Sequence, residues 1–142
     1  MAYQKHMLAG TGIGLRQPHV EHFIHGTPPI GWLEVHSENY LQENSKRRHQ
    51  LRHIRNDYAV SCHGIGLSLG SSDPLNLNHL KSLKSLFDDI QPSLISEHLS
   101  WSSLNGRFYN DLLPLPYTDE SLHHMVSQVN QTQESLGREI LI

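Results

Sequence analysis

The sequence predicts an α/β protein with a parallel sheet, organised as the first part of a (βα)8 TIM barrel. Apolar strand-like runs alternate with helical patterns along the chain, and this alternation is typical of βαβ units. Clusters of polar residues stand at the C-terminal ends of the strand-like runs, at the rim where parallel barrels carry their active sites. The final run, residues 140–142, resembles the start of a fifth buried strand.

Chain length sets the predicted extent of that barrel. A complete barrel of this kind takes about 250 residues, whereas the chain has 142. Residues 1–142 are therefore predicted to form a single incomplete TIM-barrel domain. It is expected to be truncated to about the first four βα units plus the start of strand 5.

The first half of the chain contains three predicted strands and one helix. The first strand is the glycine-rich run 10–16, and the second is 32–36, which Pro28 and Pro29 precede as a turn signal. A helix is predicted from about Leu41 to Asn56, with few apolar positions and many basic ones. The third strand is 58–63, and a loop rich in glycine and serine follows it.

The second half adds two helices and one strand. A helix with an apolar face is predicted to begin at a cap, either Asp73 or Asn78, and to end before Pro92. The fourth strand is 94–99, and residues 100–117 are predicted to be a long loop. In the last helix Thr118 is the expected N-cap, and Gly137 is the expected glycine just past the C-terminus.

Composition favours a soluble globular protein, with 37% hydrophobic and 18% charged residues. The net charge of −3 gives no reason to expect nucleic acid or an anionic membrane as a partner, and the basic run 46–55 is predicted to be a solvated outer helix. Residues 1–10 show no signal peptide, and no apolar run is long enough to span a membrane. The single cysteine, Cys62, rules out an internal disulfide, so a reducing, cytoplasmic location is expected.

Histidine is unusually common, with 12 in 142 residues, and two of these histidines are candidate metal ligands. His63 ends the third strand and His98 ends the fourth, and neutral imidazoles at such positions suit iron, zinc or manganese. Glu97 is expected to support His98, since neighbouring strand residues point to opposite faces. The alternatives are a buried histidine bonded to the backbone for His63 and a solvated loop pair for Glu97 and His98.

Other polar residues are predicted to line the pocket or to support the ligands. Arg16 ends the first strand and would hold an anionic group of the substrate. His36, Glu38 and Asn39 end the second strand, while Asp111 lies in the predicted loop, where capping a turn is an equally good explanation.

Several conspicuous residues are assigned no function. Cys62 is predicted to pack in the core, because its neighbour His63 should point the other way and cannot activate it. The glycines of run 10–14 lack the lysine and serine or threonine of a phosphate loop. Five further histidines, on predicted helices or loops, are expected at the surface: His19, His22, His25, His123 and His124.

Five ordered blocks resemble a known family from about residue 10 to the last residue. The blocks are residues 12–16, 32–40, 61–70, 95–101 and 111–118. They are similar to domain-of-unknown-function 692, also called uncharacterised protein family 0276, whose characterised members include MbnB and TglH. The resemblance implies a xylose-isomerase-like (βα)8 barrel that holds two or three irons.

The resemblance also implies an activity and partners. Such enzymes use iron and dioxygen to oxidise a cysteine in a ribosomal precursor peptide, and a small partner protein recruits that peptide. His63 and His98 match family metal ligands, whereas the family's bridging Glu and its later Asp, His and Glu ligands would follow residue 142. The chain alone is therefore expected to be inactive. The alternatives are a non-catalytic remnant or assembly module, or a divalent-metal isomerase or hydrolase of the same barrel type.

Overall fold

The computed structural model describes residues 7–142 of the chain. Residues 1–6, part of the segment in which no signal peptide is predicted, lie outside this range. Within the described residues, no helix is both long and apolar enough to cross a membrane.

The strands are β1 (Gly12–Gly14), β2 (Trp32–His36), β3 (Ala59–His63), β4 (Leu94–Ser96), β5 (Trp101–Leu104) and β6 (Arg107–Leu113). The helices are α1 (Val20–His25), α2 (Lys46–Arg55), α3 (Leu77–Ile90) and α4 (Asp119–Leu136), with 3-10 turns at Gln17–His19 and Ser37–Tyr40.

The main sheet has four parallel strands in the order β1-β2-β3-β4, as the alternating pattern predicts. Its register places His36 beside His63 and His63 beside Ser96. Leu141 forms a parallel bridge with Ser96, so the last residues lie where a fifth strand would join the sheet. The sheet is compatible with part of a TIM barrel.

The two faces of the sheet differ in chemistry because side chains alternate along each strand. Leu33, Val35, Val60 and Cys62 are at most 1% exposed and belong to one apolar cluster with residues of α3. Glu34 and His36 alternate with Leu33 and Val35, so they lie on the opposite face, where they are only partly buried. In the barrel that the sequence predicts, this face would line the interior.

Local side-chain hydrogen bonds set two helix starts that differ from the predictions. Helix α2 begins at Lys46 rather than near Leu41. A 3-10 turn occupies Ser37–Tyr40, and the Ser45 side chain caps α2 by accepting a hydrogen bond from the Arg48 backbone N–H. Asn76 caps α3, accepting from the backbone N–H groups of residues 78 and 79, so the expected caps Asp73 and Asn78 are wrong. Both ends of α4 confirm the predictions, with Thr118 at the N-cap and Gly137 at φ 71°.

Residues 100–117 are not a loop, as predicted, but contain the antiparallel hairpin β5–β6. Asn105 (φ 51°) and Gly106 (φ 73°) connect its strands, and Asn-Gly is the pair that a tight turn with two positive φ values prefers. Asp73 accepts hydrogen bonds from both of their backbone N–H groups, at 2.8 and 3.0 Å. The sequence carried this hairpin signal at Asn105-Gly106.

Helix α2 is not simply a solvated outer helix, because two of its arginines are buried. Arg48 is 2% exposed and donates to Asp89 Oδ2 at 2.7 Å and to the Ser85 carbonyl at 2.7 Å. Arg55 is equally buried and donates to the carbonyls of Tyr58 and Gln91. Arginine anchors of this kind fix α2 against α3 and the start of β3.

Asp89 is expected to make the fold sensitive to acid. Burial tends to raise the pKa of Asp89, but hydrogen bonds and positive charge from Arg52 and Arg48 outweigh it and hold this pKa below its usual value of 3.8. The stabilisation it supplies is therefore complete above pH 3.8 and is lost as the pH falls through the lowered native pKa. We expect Asp89→Asn to lose about 2 kcal/mol of unfolding free energy at pH 7, with the difference from the parent vanishing in acid.

Urea unfolding from pH 7 down to pH 2 measures this effect. Asp88→Asn is the matched control, because Asp88 is exposed and pairs only with Lys84 at the surface. It should change stability by less than about 0.5 kcal/mol. An equal loss in both variants, or a loss in Asp89→Asn that persists unchanged in acid, would contradict the expectation.

Candidate functional site

Three imidazoles converge at the C-terminal ends of β2, β3 and β4. The rings of His36 and His63 have centroids 5.8 Å apart, and those of His63 and His98 are 4.5 Å apart. The Nε2 atoms of His63 and His98 approach to 2.7 Å. Parallel strands in register deliver these side chains to one rim, and His98 reaches it from the residues just after β4.

Ser96 fixes the orientation of His63. Its Oγ lies 2.8 Å from His63 Nδ1, which leaves Nε2 aimed at His98. Burial, followed by the charge of His98, lowers the pKa of His63 below 6.5, so the neutral imidazole with a free lone pair prevails at pH 7. At this distance the two Nε2 atoms either share one N–H between them or direct both lone pairs at one cation.

Glu97 supports His98 through the backbone rather than through the imidazole. Its carboxylate accepts from the backbone N–H groups of His98, at 3.0 Å, and Leu67, at 3.3 Å. Burial raises the pKa of Glu97 to about 7, and the two hydrogen bonds only partly oppose this. A Cβ on Gly64 would lie 2.3 Å from Glu97 Oε1. Glycine is therefore needed at position 64, because any larger residue would clash with the Glu97 carboxylate.

Glu38 holds the same loop from the other side. Its Oε1 accepts from the backbone N–H groups of Ile65, at 3.0 Å, and Gly66, at 2.9 Å, and lies 3.5 Å from His79 Nε2. Burial raises the pKa of Glu38, but these partners outweigh it, so the net shift is below 4.5. Two carboxylates thus brace the loop that leaves His63, and His79 is a contributor that the sequence did not single out.

The remaining predicted residues separate into two places. Arg16, His36 and Asn39 line one cavity of about 200 Å³, together with Glu34 and other residues. Asp111 lies exposed on β6, where its Oδ1 accepts from the Leu112 backbone N–H at 2.9 Å. It is not among the residues that line this cavity.

The residues given no function in the sequence are placed as follows. Cys62 is fully buried, and burial raises the pKa of its thiol to about 12, which makes it a packing residue rather than a nucleophile. Four of the five histidines expected at the surface are exposed there. His124 differs, because it is partly buried and its Nε2 lies 2.6 Å from the Ser71 carbonyl.

Within residues 7–142, no group of three or more His, Cys, Asp or Glu side chains is arranged to hold a metal ion. The described residues therefore offer two converging nitrogens, His63 Nε2 and His98 Nε2, as a partial ligand set. Multinuclear iron centres need further ligands and carboxylates for charge balance.

Comparison with known proteins identifies the family. Residues 10–142 match the model described as RiPP precursor modification enzyme MbnB/TglH/ChrH. The chain belongs to the MbnB/TglH/ChrH family. The resemblance predicted from the five sequence blocks is thereby confirmed.

Curated relatives of this MbnB/TglH/ChrH chain carry the name UPF0276 protein. One from Vibrio vulnificus (strain YJ016) is 55% identical over 131 residues, covering 92% of this chain and 45% of the relative. One from Psychromonas ingrahamii is 52% identical over 139 residues, covering 97% and 49%. One from Acaryochloris marina is 49% identical over 135 residues, covering 95% and 49%. The chain thus spans about half the length of the curated relatives it matches.

Proposed function

We propose that this MbnB/TglH/ChrH chain supplies His63 and His98 as neighbouring ligands of a metal centre that modifies a precursor peptide. The observation that carries the proposal is the 2.7 Å approach of the two Nε2 atoms. Two imidazoles bound to one ion at right angles by bonds of about 2.0–2.1 Å have their nitrogens roughly 2.9 Å apart, so a small outward movement of the rings would make room for the ion. Burial and the charge of His98 lower the pKa of His63, which favours the neutral form that a metal requires.

Iron is the metal that the family resemblance implies, although zinc and manganese also suit imidazole ligands. When bound, iron supplies redox chemistry with dioxygen as the oxidant, and the cysteine of the peptide is the group that is oxidised. A small partner protein is proposed to recruit the peptide. Since the chain spans about half of its relatives, the remaining ligands and the activity of the whole protein belong to this proposal.

The chain's own residues pre-position the two ligands. Ser96 holds the His63 ring through Nδ1, and such support typically raises metal affinity. Glu97 fixes the backbone at His98, and Glu38 fixes the loop after His63. The two imidazoles are therefore held on braced backbone segments rather than on a free loop.

Iron content after anaerobic purification tests the proposal. At least about one iron per chain, by elemental analysis, is the expected result for a folded protein. Loading with zinc or manganese in place of iron would keep the site but change the metal. A folded chain that binds none of the three ions would contradict the proposal.

Ser96→Ala is expected to weaken metal binding about 10- to 100-fold without unfolding the chain, because the His63 ring loses the partner of its Nδ1 atom. Competition titration with a chelating dye measures the affinity. Ser135→Ala on the exposed side of α4 is the control, since its hydroxyl bonds only to the Gln131 carbonyl. Equal affinities in the two variants would show that Ser96 has no part in the site.

A further inference from the structure

We propose that the cavity beside His36 is a carboxylate-binding subsite in which Arg16 and Arg47 hold an anionic group of the peptide substrate. The identity of the ligand as a peptide rests on the proposed function, whereas the binding of a carboxylate does not. The sequence pointed to Arg16 alone. The structure adds Arg47 and places both residues around one cavity with Asn39.

Arg16 reaches the cavity from the end of β1. It follows Gly14 and Leu15, and a Cβ on Gly14 would lie 3.6 Å from Arg16 Nε. The arginine side chain therefore lies over the end of this strand, near the rim that carries the histidines.

Arg47 reaches the cavity from the first turn of α2. Helix N-termini favour acidic side chains, yet this turn has none and begins with Lys46 and Arg47. Residues whose charge opposes the local helix electrostatics are expected at functional sites. Buried Tyr40 also lines the cavity. Burial raises the pKa of the Tyr40 hydroxyl, and the positive charge of Arg47 partly opposes this rise.

The charge balance of the cavity favours an anion. Among the described residues 7–142, no salt bridge involves the guanidinium group of Arg16 or of Arg47. Glu34 is the single acidic residue in the lining, so two guanidinium groups face one carboxylate. One net positive charge remains, and the amide of Asn39 adds a neutral donor.

Carboxylate is the ligand chemistry that this arrangement fits. Guanidinium groups bind carboxylates through paired N–H donors, and a cavity of about 200 Å³ accommodates one carboxylate with its attached carbons. His36 lines the same cavity and lies 5.8 Å, ring to ring, from His63. A peptide held here by its carboxylate would present a nearby cysteine to His63 and His98.

Three small probes test the subsite and separate the two sources of a peptide carboxylate. N-acetylcysteine carries a terminal carboxylate, N-acetylcysteinamide carries none, and N-acetyl-glutamyl-cysteinamide carries only a side-chain carboxylate. Binding is followed by NMR titration of the arginine Nε–H signals in the metal-free chain. At least one carboxylate probe should bind about tenfold more tightly than N-acetylcysteinamide, and the better one identifies the source.

Arg16→Met and Arg47→Met should each weaken that binding about tenfold. Arg107→Met is the matched control, because Arg107 is also exposed but lies on β6 outside the cavity, and it should leave binding unchanged. Far-ultraviolet circular dichroism confirms that the variants are folded. Failure of every probe to bind, equal binding of the amide, or equal effects of the three substitutions would overturn the subsite.

The test of carboxylate binding can be distinguished from the test of metal binding at His63 and His98. His98→Ala lies outside the lining of the cavity and should keep carboxylate binding while losing metal. Carboxylate binding in a chain that holds no metal would leave the subsite standing alone. Metal binding without carboxylate binding would overturn the subsite and leave the metal proposal intact.

Discussion

Replacing either His63 or His98 by alanine should lower the affinity of the chain for iron at least about a hundredfold. Loss of a residue that only orients a ligand typically lowers metal affinity about 10- to 100-fold, and loss of the ligand itself should lower it by more. The two Nε2 atoms are 2.7 Å apart and are expected to act on one ion. The double variant should therefore lose little more than either single variant. Anaerobic titration with ferrous iron against a competing dye measures all three affinities.

His123→Ala is the control for that comparison. His123 lies exposed on α4, so its removal should leave iron affinity within about twofold of the parent. Strictly additive losses in the double variant would indicate two separate sites rather than one. Unchanged affinity in both single variants would remove the two histidines from the metal centre.

The second large effect is on stability. Arg48→Ala should cost about 3 kcal/mol of unfolding free energy, because it leaves buried acceptors without a donor. The lost contacts include Asp89 at 2.7 Å, the Ser85 carbonyl at 2.7 Å and the Leu41 carbonyl at 3.3 Å. Asp89 retains Arg52 as a partner, so the double variant Arg48→Ala with Asp89→Asn should lose less than the sum of the single losses.

Lys46→Ala provides the matched control in the same helix. Lys46 is exposed, and its replacement should change stability by less than about 0.5 kcal/mol. Urea unfolding at pH 7 supplies the free energies. A loss for Arg48→Ala that matches the loss for Lys46→Ala would mean that the buried guanidinium contributes nothing net to the packing of α2 on α3.

The parallel sheet was predictable because strand and helix patterns have different periods and alternate in this chain. The meeting of His63 and His98 followed from the same logic, since parallel strands end at one rim. The sequence could not specify that His36, His63 and Ser96 fall side by side, because strand register depends on pairing between distant segments. Ser96 was missed for that reason.

The other errors have local physical causes. The hairpin β5–β6 was predicted as a loop because its exposed β6 strand lacks a buried alternating face, although Asn105-Gly106 indicated the turn. Arg48 and Arg55 were expected to be solvated because charge usually marks a surface, and only the tertiary structure brings Asp89 and the carbonyl acceptors to them. Arg47 was overlooked as a candidate site residue because it stands in the same basic run.

X-ray absorption at the iron edge, on the anaerobically iron-loaded chain, identifies the atoms that bind the metal. We expect imidazole scattering from two histidines, with iron–nitrogen distances near the roughly 2.0–2.1 Å typical of metal–imidazole bonds. This scattering should disappear in the variant that lacks both His63 and His98. Iron bound through oxygen alone, or imidazole scattering that persists in the double variant, would contradict the claim that these two residues form the metal site.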